Sequence, residues 1–426
     1  MNGALARLKS SRRSGSPVGI TSVCSAHPLV IRAAARSAAR RGETMLVEAT
    51  CNQVNQFGGY TGMQPADFVA LVAGIAAEEG LPTDAIFLGG DHLGPNPWRS
   101  EAAEAALAKA GDMVEAYVVA GFRKIHLDAS MGCKGEPAAL DDETVAKRAA
   151  GLAKRAESAA RRAGGELPVY VIGTEVPPPG GADHVISTLD PTDPQAARRT
   201  LEVHREIFAA EGLGDALDRV IALVVQPGAE FGNENVVAYD RDKARSLSRM
   251  LDEVPGIVFE AHSTDYQSPQ GLRALVEDGY PILKVGPQLT FALREALYGL
   301  DLIATDLLAD YGERRLYHAM EALMLRDPSQ WRGHYRGSEA DQRLQRHYSF
   351  SDRIRYYWNQ PEADAAVATL THALEGRSGP LPLFSQHLPH FARFAGAALD
   401  PQALLIAAVE RCLDDYAFAC GAEENA

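Results

Sequence analysis

An Asp-His pair directly follows an apolar run near residue 90, and both side chains are of kinds that move protons or bind metals. The run 85–88 is followed by two glycines and then by Asp91 and His92. Pro95 and Pro97 can continue neither a strand nor a helix interior, so the chain must leave as a loop. This pattern predicts a strand that carries a carboxylate and an imidazole to its carboxyl end, where barrel enzymes keep their active sites.

The same arrangement recurs along the chain, because seven of eight predicted strands end in a polar or ionisable side chain. Buried charges are costly unless they are paired or bind a metal, so a purely structural barrel has no need of such a ring. The ring predicts a polar pocket with one subsite for a cation and another for hydroxyl groups. Its members are Glu48, Asp91, His92, Asp128, Glu175, Gln226, Glu230, Glu260, His262, Asp265 and Lys284.

Two histidines of this ring are the strongest metal-ligand candidates. His92 and His262 both follow apolar runs, and imidazole nitrogen suits zinc and neighbouring divalent ions. A lone histidine is more often a hydrogen-bonded core residue, and we assign that structural role to His126, which lies within a predicted strand. The sequence therefore predicts a divalent metal site, with zinc as the favoured ion.

Asp91 is predicted to move a proton to or from a substrate hydroxyl, unless it only orients a metal ligand. Neighbouring residues of a strand face opposite sides, so Asp91 and His92 can share a pocket only if the strand has ended there. The preceding glycines make that ending feasible. Glu48, Asp128 and Glu175 are further candidates for proton transfer.

Lys284 and two polar loops complete the predicted site. Lys284 could stabilise an enolate, bind a phosphate, form a Schiff base or neutralise a carboxylate. The loops offer amides, hydroxyls and a carboxylate suited to polyol or phosphate oxygens. Their candidate substrate-binding residues are Asn52, Gln53, Ser263, Thr264 and Asp265. The sequence has no GxxxxGK[ST] motif, so a P-loop phosphotransferase is not supported.

Eight apolar strands alternate with helical stretches between about residues 18 and 310. Continuous apolar runs are typical of strands buried on both faces, which pair in parallel with helical crossovers. Eight such units close into a (β/α)8 TIM barrel, whereas an open doubly wound sheet would show a Gly-rich fingerprint after its first strand. We predict an α/β barrel over residues 18–310, a solvated basic lead-in over 1–17, and a mainly helical extension over 311–426 packed on the barrel.

Composition narrows the protein classes further. The formal charge of −14 disfavours nucleic acid as a partner. Five cysteines without C-x-x-C spacing suit a reduced cytoplasmic protein, and no apolar run reaches the roughly 18 residues that span a membrane. The segment Arg346 to Trp358 is rich in Tyr and Arg, which fits either packing on the barrel or an interface in a homo-oligomer. The sequence leaves both open.

Long motifs run from about Gly19 to the C-terminus. Among them are VEATCNQVNQFGGYTGM, LGGDHLGPNPW, YVIGTEVPPPGG, EAHSTDYQ and YSFSDRIRYYW. Together they resemble the GatZ/KbaZ family, the non-catalytic subunit of class II tagatose-1,6-bisphosphate aldolase, sometimes labelled a tagatose-6-phosphate kinase. The resemblance implies a TIM barrel, a bacterial cytosolic role in galactitol or tagatose catabolism, and a catalytic class II aldolase subunit as partner.

The resemblance also implies roles for single residues, because the family looks distantly related to the catalytic class II aldolases. There an Asp-His pair supplies the proton-shuttling acid and a zinc ligand, matched here by Asp91 and His92. A later ligand histidine is matched by His262. A further ligand histidine, expected after the sixth strand, is replaced by Gln226, a weak neutral ligand.

Two hypotheses of different class follow. In the first, the chain is an accessory protein that supports the activity and stability of a separate aldolase subunit. In the second, it is a metal-dependent sugar enzyme in its own right, a ketose epimerase or aldolase, in which Glu175 or Glu230 makes up for the missing histidine. The family resemblance favours the first hypothesis, and the strand-end ring favours the second, since a pure scaffold does not need it.

Overall fold

The computed structural model describes Leu5, Arg7, Leu8 and residues 17–173 and 189–421, and at its centre eight parallel strands form a closed barrel. Around the barrel the strand order is β1-β10-β9-β6-β5-β4-β3-β2. The predicted TIM barrel is confirmed. The barrel strands are β1 Ile20–Cys24, β2 Met45–Thr50, β3 Ile86–Leu93, β4 Lys124–Leu127, β5 Val169–Gly173, β6 Val220–Val224, β9 Val258–Ala261 and β10 Ile282–Val285, and an antiparallel hairpin of β7 Glu230–Phe231 and β8 Val236–Val237 follows β6.

Helices form the outer layer, and several start in the way their sequences predict. Asp193 accepts hydrogen bonds from the backbone N–H groups of Gln195 and Ala196, and Pro194 occupies the first helical position, where its missing N–H would have no partner. The α-helices are Pro28–Arg41, Pro65–Glu78, Ala103–Ala120, Asp142–Ala163, Pro194–Ala210, Gly214–Leu217, Arg241–Glu253, Pro269–Asp278, Pro287–Leu307, Arg315–Arg326, Glu339–Tyr348, Pro361–Leu374, Leu381–His387 and Pro401–Cys420. Within the described ranges, no helix has both the length and the apolar character needed to cross a membrane.

The C-terminal extension packs on the barrel and also completes its outer ring. Its last helix, Pro401–Cys420, lies against three barrel helices, Pro28–Arg41, Pro269–Asp278 and Pro287–Leu307. The carbonyl of Cys420 accepts a 3.0 Å hydrogen bond from the backbone N–H just before β1. The extension is therefore built into the barrel wall.

The barrel interior is apolar at the amino ends of the strands. Ile20, Leu46 and Ile282 belong to one buried cluster there, together with Leu5 and Leu8 of the lead-in. The side chains of Leu5 and Leu8 are 1% and 3% exposed, so the expectation of a wholly solvated lead-in is wrong at these positions. Apolar side chains at the open end of a barrel gain stability when they are covered from water.

Above this apolar floor, a fully buried ionic layer crosses the barrel. Lys124 Nζ lies 2.7 Å from Glu48 Oε1 and 2.8 Å from Glu260 Oε2, and all three side chains are 0% exposed. Lys284 Nζ lies 3.0 Å from Glu48 Oε2. Room for the Glu48 side chain comes from Gly89 on the next strand, where a Cβ would lie 2.6 Å from Glu48 Cγ. This layer supports the polar groups at the carboxyl end.

Candidate active site

A β-bulge brings Asp91 and His92 to the same side of the barrel wall. The pairing of β3 with β4 shifts register between Gly90 and Leu93, and His92 adopts a left-handed backbone conformation with φ 49°. An extra residue in one strand redirects the following side chain, which normal alternation would point outward. We expected β3 to end before this pair. Instead the strand continues to Leu93, and it is the bulge that lets both side chains face the same pocket.

Four buried side chains meet above the ionic layer at the carboxyl end of the barrel. Asp91, His92, His126 and His262 each offer one potential ligand atom, and these atoms all lie within 4.8 Å of one another. The ring centroid of His92 lies 4.6 Å from that of His126 and 4.8 Å from that of His262. Three imidazoles and a carboxylate form a donor set that fits zinc and neighbouring divalent metals.

Each histidine of the cluster is held through one ring nitrogen by an oxygen acceptor. His92 Nδ1 lies 2.8 Å from Asp128 Oδ2, and His262 Nε2 lies 3.0 Å from Glu260 Oε1. His126 Nε2 lies 2.9 Å from the carbonyl oxygen of Gly173. Histidines that bind metals almost always donate their second N–H in this way, which fixes the tautomer and turns the other nitrogen toward the ion. This is the arrangement expected of a metal centre.

One ring nitrogen of the cluster is buried without a hydrogen-bond partner among the described residues. His92 Nε2 is buried and has no hydrogen-bond partner among the described residues, and it lies 3.7 Å from Asp91 Oδ1. A buried polar atom without a partner costs free energy, and a metal ion would satisfy it. The residues present therefore fit a divalent metal.

The charges around the cluster agree with this assignment. Four buried carboxylates, those of Glu48, Asp91, Asp128 and Glu260, face two lysine ammonium groups, which leaves an excess of two negative charges when the histidines are neutral. Burial lowers the pKa of His262 to about 3, so this imidazole is neutral at physiological pH. A divalent cation would balance the excess.

Asp91 is the most densely contacted carboxylate of the site. Its Oδ1 lies 2.5 Å from Lys284 Nζ and 3.2 Å from His126 Nδ1, while Oδ2 accepts a 3.1 Å hydrogen bond from Cys24 Sγ. Burial favours the neutral acid, but the Lys284 ammonium and the hydrogen bond from His126 act against it, and the pKa of Asp91 is held well below its usual range. Asp91 is thus ionised and carries the charge of a potential proton acceptor.

A cavity of about 500 Å³ opens directly above these groups. The barrel contributes Asp91, His92, His262 and Lys284 to its lining, and the C-terminal extension contributes His334, Arg355 and Tyr356. Its volume falls within the range of about 300–1,000 Å³ that small-molecule sites occupy. A small molecule bound in this cavity would therefore contact the cluster.

The structure brings most of the predicted site residues to this cavity. Asn52, Gln53, Ser263 and Asp265 line it, together with the four barrel residues already named. Thr264 does not, because its hydroxyl donates a 2.6 Å hydrogen bond to the Lys284 carbonyl.

Three other predicted residues lie elsewhere. Glu48 lies in the ionic layer, and Asp128 is hydrogen-bonded to His92 Nδ1 on the side away from the cluster. Gln226 is not part of the cluster, since its Oε1 accepts the backbone N–H groups of Gly228 and Ala229. Glu175 lies outside the described residues.

Two functional features are absent from the sequence-based expectations. His126, which we expected to be structural, supplies the third imidazole of the cluster. Arg355 and Tyr356 come from the extension and line the cavity mouth. The only signal for the second feature is the concentration of Tyr and Arg in the motif that contains them.

The segment 349–358 is pinned to the barrel by a buried ion pair. Arg294 Nε lies 2.8 Å from Asp352 Oδ1, with both side chains at most 1% exposed, and Thr290 Oγ1 donates a 2.7 Å hydrogen bond to Asp352 Oδ2. Asp352 has φ 47° and precedes a 3-10 turn, Arg353–Tyr357. This contact sets where Arg355 and Tyr356 stand over the cavity.

Replacing Arg294 by methionine should destabilise the protein by about 3–5 kcal/mol, because Asp352 is then buried without its partner. Urea unfolding of the variant measures the loss. Arg245→Met is the control, since its ion pair with Asp242 is exposed and such pairs contribute little. An equal, small effect in both variants would contradict the pinning role of the buried pair.

Comparison with known proteins agrees with this architecture over almost the entire length. The family model for D-tagatose-1,6-bisphosphate aldolase subunit GatZ/KbaZ-like proteins matches residues 5–421. The chain belongs to the GatZ/KbaZ-like family. A relative from Agrobacterium fabrum, named D-tagatose 6-phosphate 4-epimerase, is 62% identical over 421 residues, which cover 99% of each chain.

A solved crystal structure is also similar to this GatZ/KbaZ-like chain. The crystal structure of a probable tagatose 6 phosphate kinase from Sinorhizobium meliloti 1021 is 53% identical, with a TM-score of 0.86 over 94% of this chain and 100% of that one. The two relatives carry different activity names. The choice between them for this chain must therefore come from the chemistry of the site.

Proposed function

We propose that this protein is a metal-dependent epimerase that interconverts D-tagatose 6-phosphate and its C4 epimer, D-fructose 6-phosphate. The observation that carries the proposal is the cluster of three oriented imidazoles and Asp91 at the base of the cavity. The name of the Agrobacterium fabrum relative, at 62% identity, supports the substrate and the carbon that is inverted. Phosphotransfer is not proposed, because the sequence has no P-loop motif.

His92, His126 and His262 are the residues that would hold the metal, and Asp91 of the same cluster is left to transfer protons. A divalent ion in such a site supplies Lewis acidity, which polarises the carbonyl of a ketose. Asp128 and Glu260 keep the ligand imidazoles oriented through the hydrogen bonds described above.

Inversion at C4 of a 2-ketose needs more than the removal of a C–H proton, because C4 is not adjacent to the C2 carbonyl. Cleavage of the C3–C4 bond allows the inversion, because it makes C4 a planar aldehyde carbon with two faces. Asp91 accepts the proton of the C4 hydroxyl, the C3–C4 electron pair moves into the C2 carbonyl, and C4 becomes an aldehyde. After the aldehyde turns its other face, the C3–C4 bond forms again and Asp91 returns the proton. Atoms and charges balance over the cycle.

The described groups fit this sequence of steps. Asp91 is ionised, and the Lys284 ammonium 2.5 Å away holds it in the deprotonated form that a proton acceptor needs. Burial raises the pKa of the Cys24 thiol, so Cys24 stays protonated and acts as a hydrogen-bond donor to Asp91. The cavity is roofed by residues of the extension, which helps retain both fragments while the bond is open.

Purified protein incubated alone with D-tagatose 6-phosphate tests the proposal, with the products followed by NMR. We expect D-fructose 6-phosphate to form until an equilibrium mixture is reached. Substrate deuterated at C4 should react with a kinetic isotope effect close to 1, because no C4–H bond breaks. A large primary isotope effect would instead indicate hydride transfer at C4, and absence of turnover with metal present would contradict the epimerase proposal.

An accessory role toward an aldolase is the second candidate, and the family description as an aldolase subunit favours it. This role predicts a stable complex with a catalytic class II aldolase subunit and no turnover by the isolated chain. Size-exclusion chromatography of the mixed proteins, together with cleavage assays on D-tagatose 1,6-bisphosphate, distinguishes the two functions.

A further inference from the structure

Two arginines line the cavity and form no ion pair with any carboxylate that the structure describes. Arg99 follows the 3-10 turn Asn96–Trp98, and Arg355 belongs to the turn Arg353–Tyr357 of the extension. In the described ranges, neither guanidinium takes part in an ion pair, although the chain has more acidic than basic residues. Positive charges left unpaired at a cavity mouth are a feature of sites that receive anions.

Arg355 is oriented by neutral acceptors. Its Nη1 donates hydrogen bonds to the carbonyls of Ser351 and Asp352, and its Nη2 lies 2.9 Å from the Tyr356 hydroxyl. These contacts fix the plane of the guanidinium, and among the described residues no carboxylate oxygen lies within ion-pair distance of it. Asp265, an acidic side chain on the same lining, accepts hydrogen bonds through Oδ1 from the backbone N–H groups of Gly286 and Gln288.

A second guanidinium lies on the same aromatic ring. The Cζ atoms of Arg353 and Arg355 lie 5.0 Å and 4.4 Å from the centroid of the Tyr356 ring. Two like charges held this close repel each other, and the ring offsets only part of that cost. An anion bound at Arg355 would offset part of this repulsion.

The sign of the charge changes along the depth of the cavity. The base carries Asp91 and the imidazoles that would hold a cation, whereas Arg99 and Arg355 add positive charge elsewhere on the lining. A ligand with a phosphate at one end and a carbonyl at the other would therefore enter in one direction, with the phosphate at the mouth. Guanidinium groups bind phosphate oxygens through paired N–H donors, which adds direction to the charge attraction.

We propose that Arg355, together with Arg99, binds the phosphate group of the sugar phosphate and so fixes its direction in the cavity. The inference rests on the proposed function for its substrate and adds the phosphate subsite. In the reaction above, the aldehyde fragment carries the phosphate. Arg355 thus retains that fragment while the C3–C4 bond is open and lets its aldehyde group turn.

The test compares Arg355→Gln with the wild type on phosphorylated and unphosphorylated tagatose. We expect the preference for the phosphorylated sugar, the ratio of the two kcat/KM values, to fall about 10- to 100-fold, as for the loss of a charged hydrogen bond. Inorganic phosphate should inhibit the wild type competitively and the variant much more weakly. Arg355→Lys, which keeps the charge but not the fork, should recover part of the preference.

Arg353→Gln is the matched control, because Arg353 lies on the same ring but does not line the cavity. Its preference should stay within about threefold of the wild type, as expected for a residue without ligand contact. An unchanged preference in Arg355→Gln, or an equal loss in both variants, would overturn the proposal. Thermal unfolding of each variant identifies any loss that comes from misfolding, and Arg355→Lys then serves in place of a misfolded Arg355→Gln.

Failure of the epimerase proposal can be told apart from failure of this one. If the wild type does not epimerise the sugar, binding of inorganic phosphate and of D-tagatose 6-phosphate is measured by calorimetry. Binding to the wild type that is lost in Arg355→Gln supports the phosphate subsite without any turnover. Binding that is equal in both proteins, or absent from both, overturns it.

Discussion

Replacing Asp91 by asparagine should lower kcat for the epimerisation by about 10²–10⁴-fold, the usual contribution of a positioned general base. The amide has nearly the same shape and can still contact Cys24 and Lys284, but it cannot accept the C4 hydroxyl proton. KM should change much less than kcat, because the loss concerns the transition state. Steady-state kinetics on D-tagatose 6-phosphate measures both.

Asp128→Asn separates proton transfer from metal positioning. Asp128 contacts His92 and Ser130 but does not line the cavity, so it acts through the imidazole that it orients. We expect metal affinity or activity to fall about 10- to 100-fold in this variant, as for other groups that hold metal ligands. Excess metal should restore much of the activity of Asp128→Asn and none of that of Asp91→Asn. Full activity in Asp91→Asn would remove Asp91 from the mechanism.

The barrel could be predicted from the sequence because its signal is local. Each strand is a short apolar run bounded by turn residues, and eight such runs in alternation with helices leave few other architectures. The predicted strand ends also gave Asp91, His92, His262 and Lys284, since side chains at the carboxyl ends of parallel strands converge on one face. All four line the cavity.

The remaining site residues depend on contacts that no local pattern shows. His126 joins the cluster because the bulge in β3 turns His92 toward it, and its Nδ1 lies 3.2 Å from the backbone N of His92. Arg355 reaches the mouth because Arg294, more than 50 residues earlier, holds Asp352 in place. Gln226 follows a strand end, but its side-chain oxygen accepts a hydrogen bond from the backbone N–H of Gly228 in the loop after β6. Register shifts and long-range ion pairs decide these positions.

Removal of the metal should abolish the activity. The ligands should be the histidines that the structure brings together, including His126. Dialysis against a chelator should leave an inactive protein that regains activity when a divalent ion is added back. His126→Ala and His262→Ala should each lose the bound metal, because each removes one imidazole from a set of three. Elemental analysis of the purified variants, beside their kcat values, measures this.

Gln226→Ala provides the discriminating comparison with His126→Ala. The resemblance to the class II aldolases assigns a ligand to residue 226. The structure instead places His126 in the cluster, and the Gln226 side-chain oxygen accepts the N–H groups of Gly228 and Ala229. We expect Gln226→Ala to keep its metal and much of its activity, with some loss of stability from the unsatisfied loop N–H groups. If His126→Ala kept a full complement of metal while Gln226→Ala lost it, the cluster would need a different donor set. If both variants kept it, His92 and His262 would suffice as protein ligands, and His126 would act only by holding Asp91.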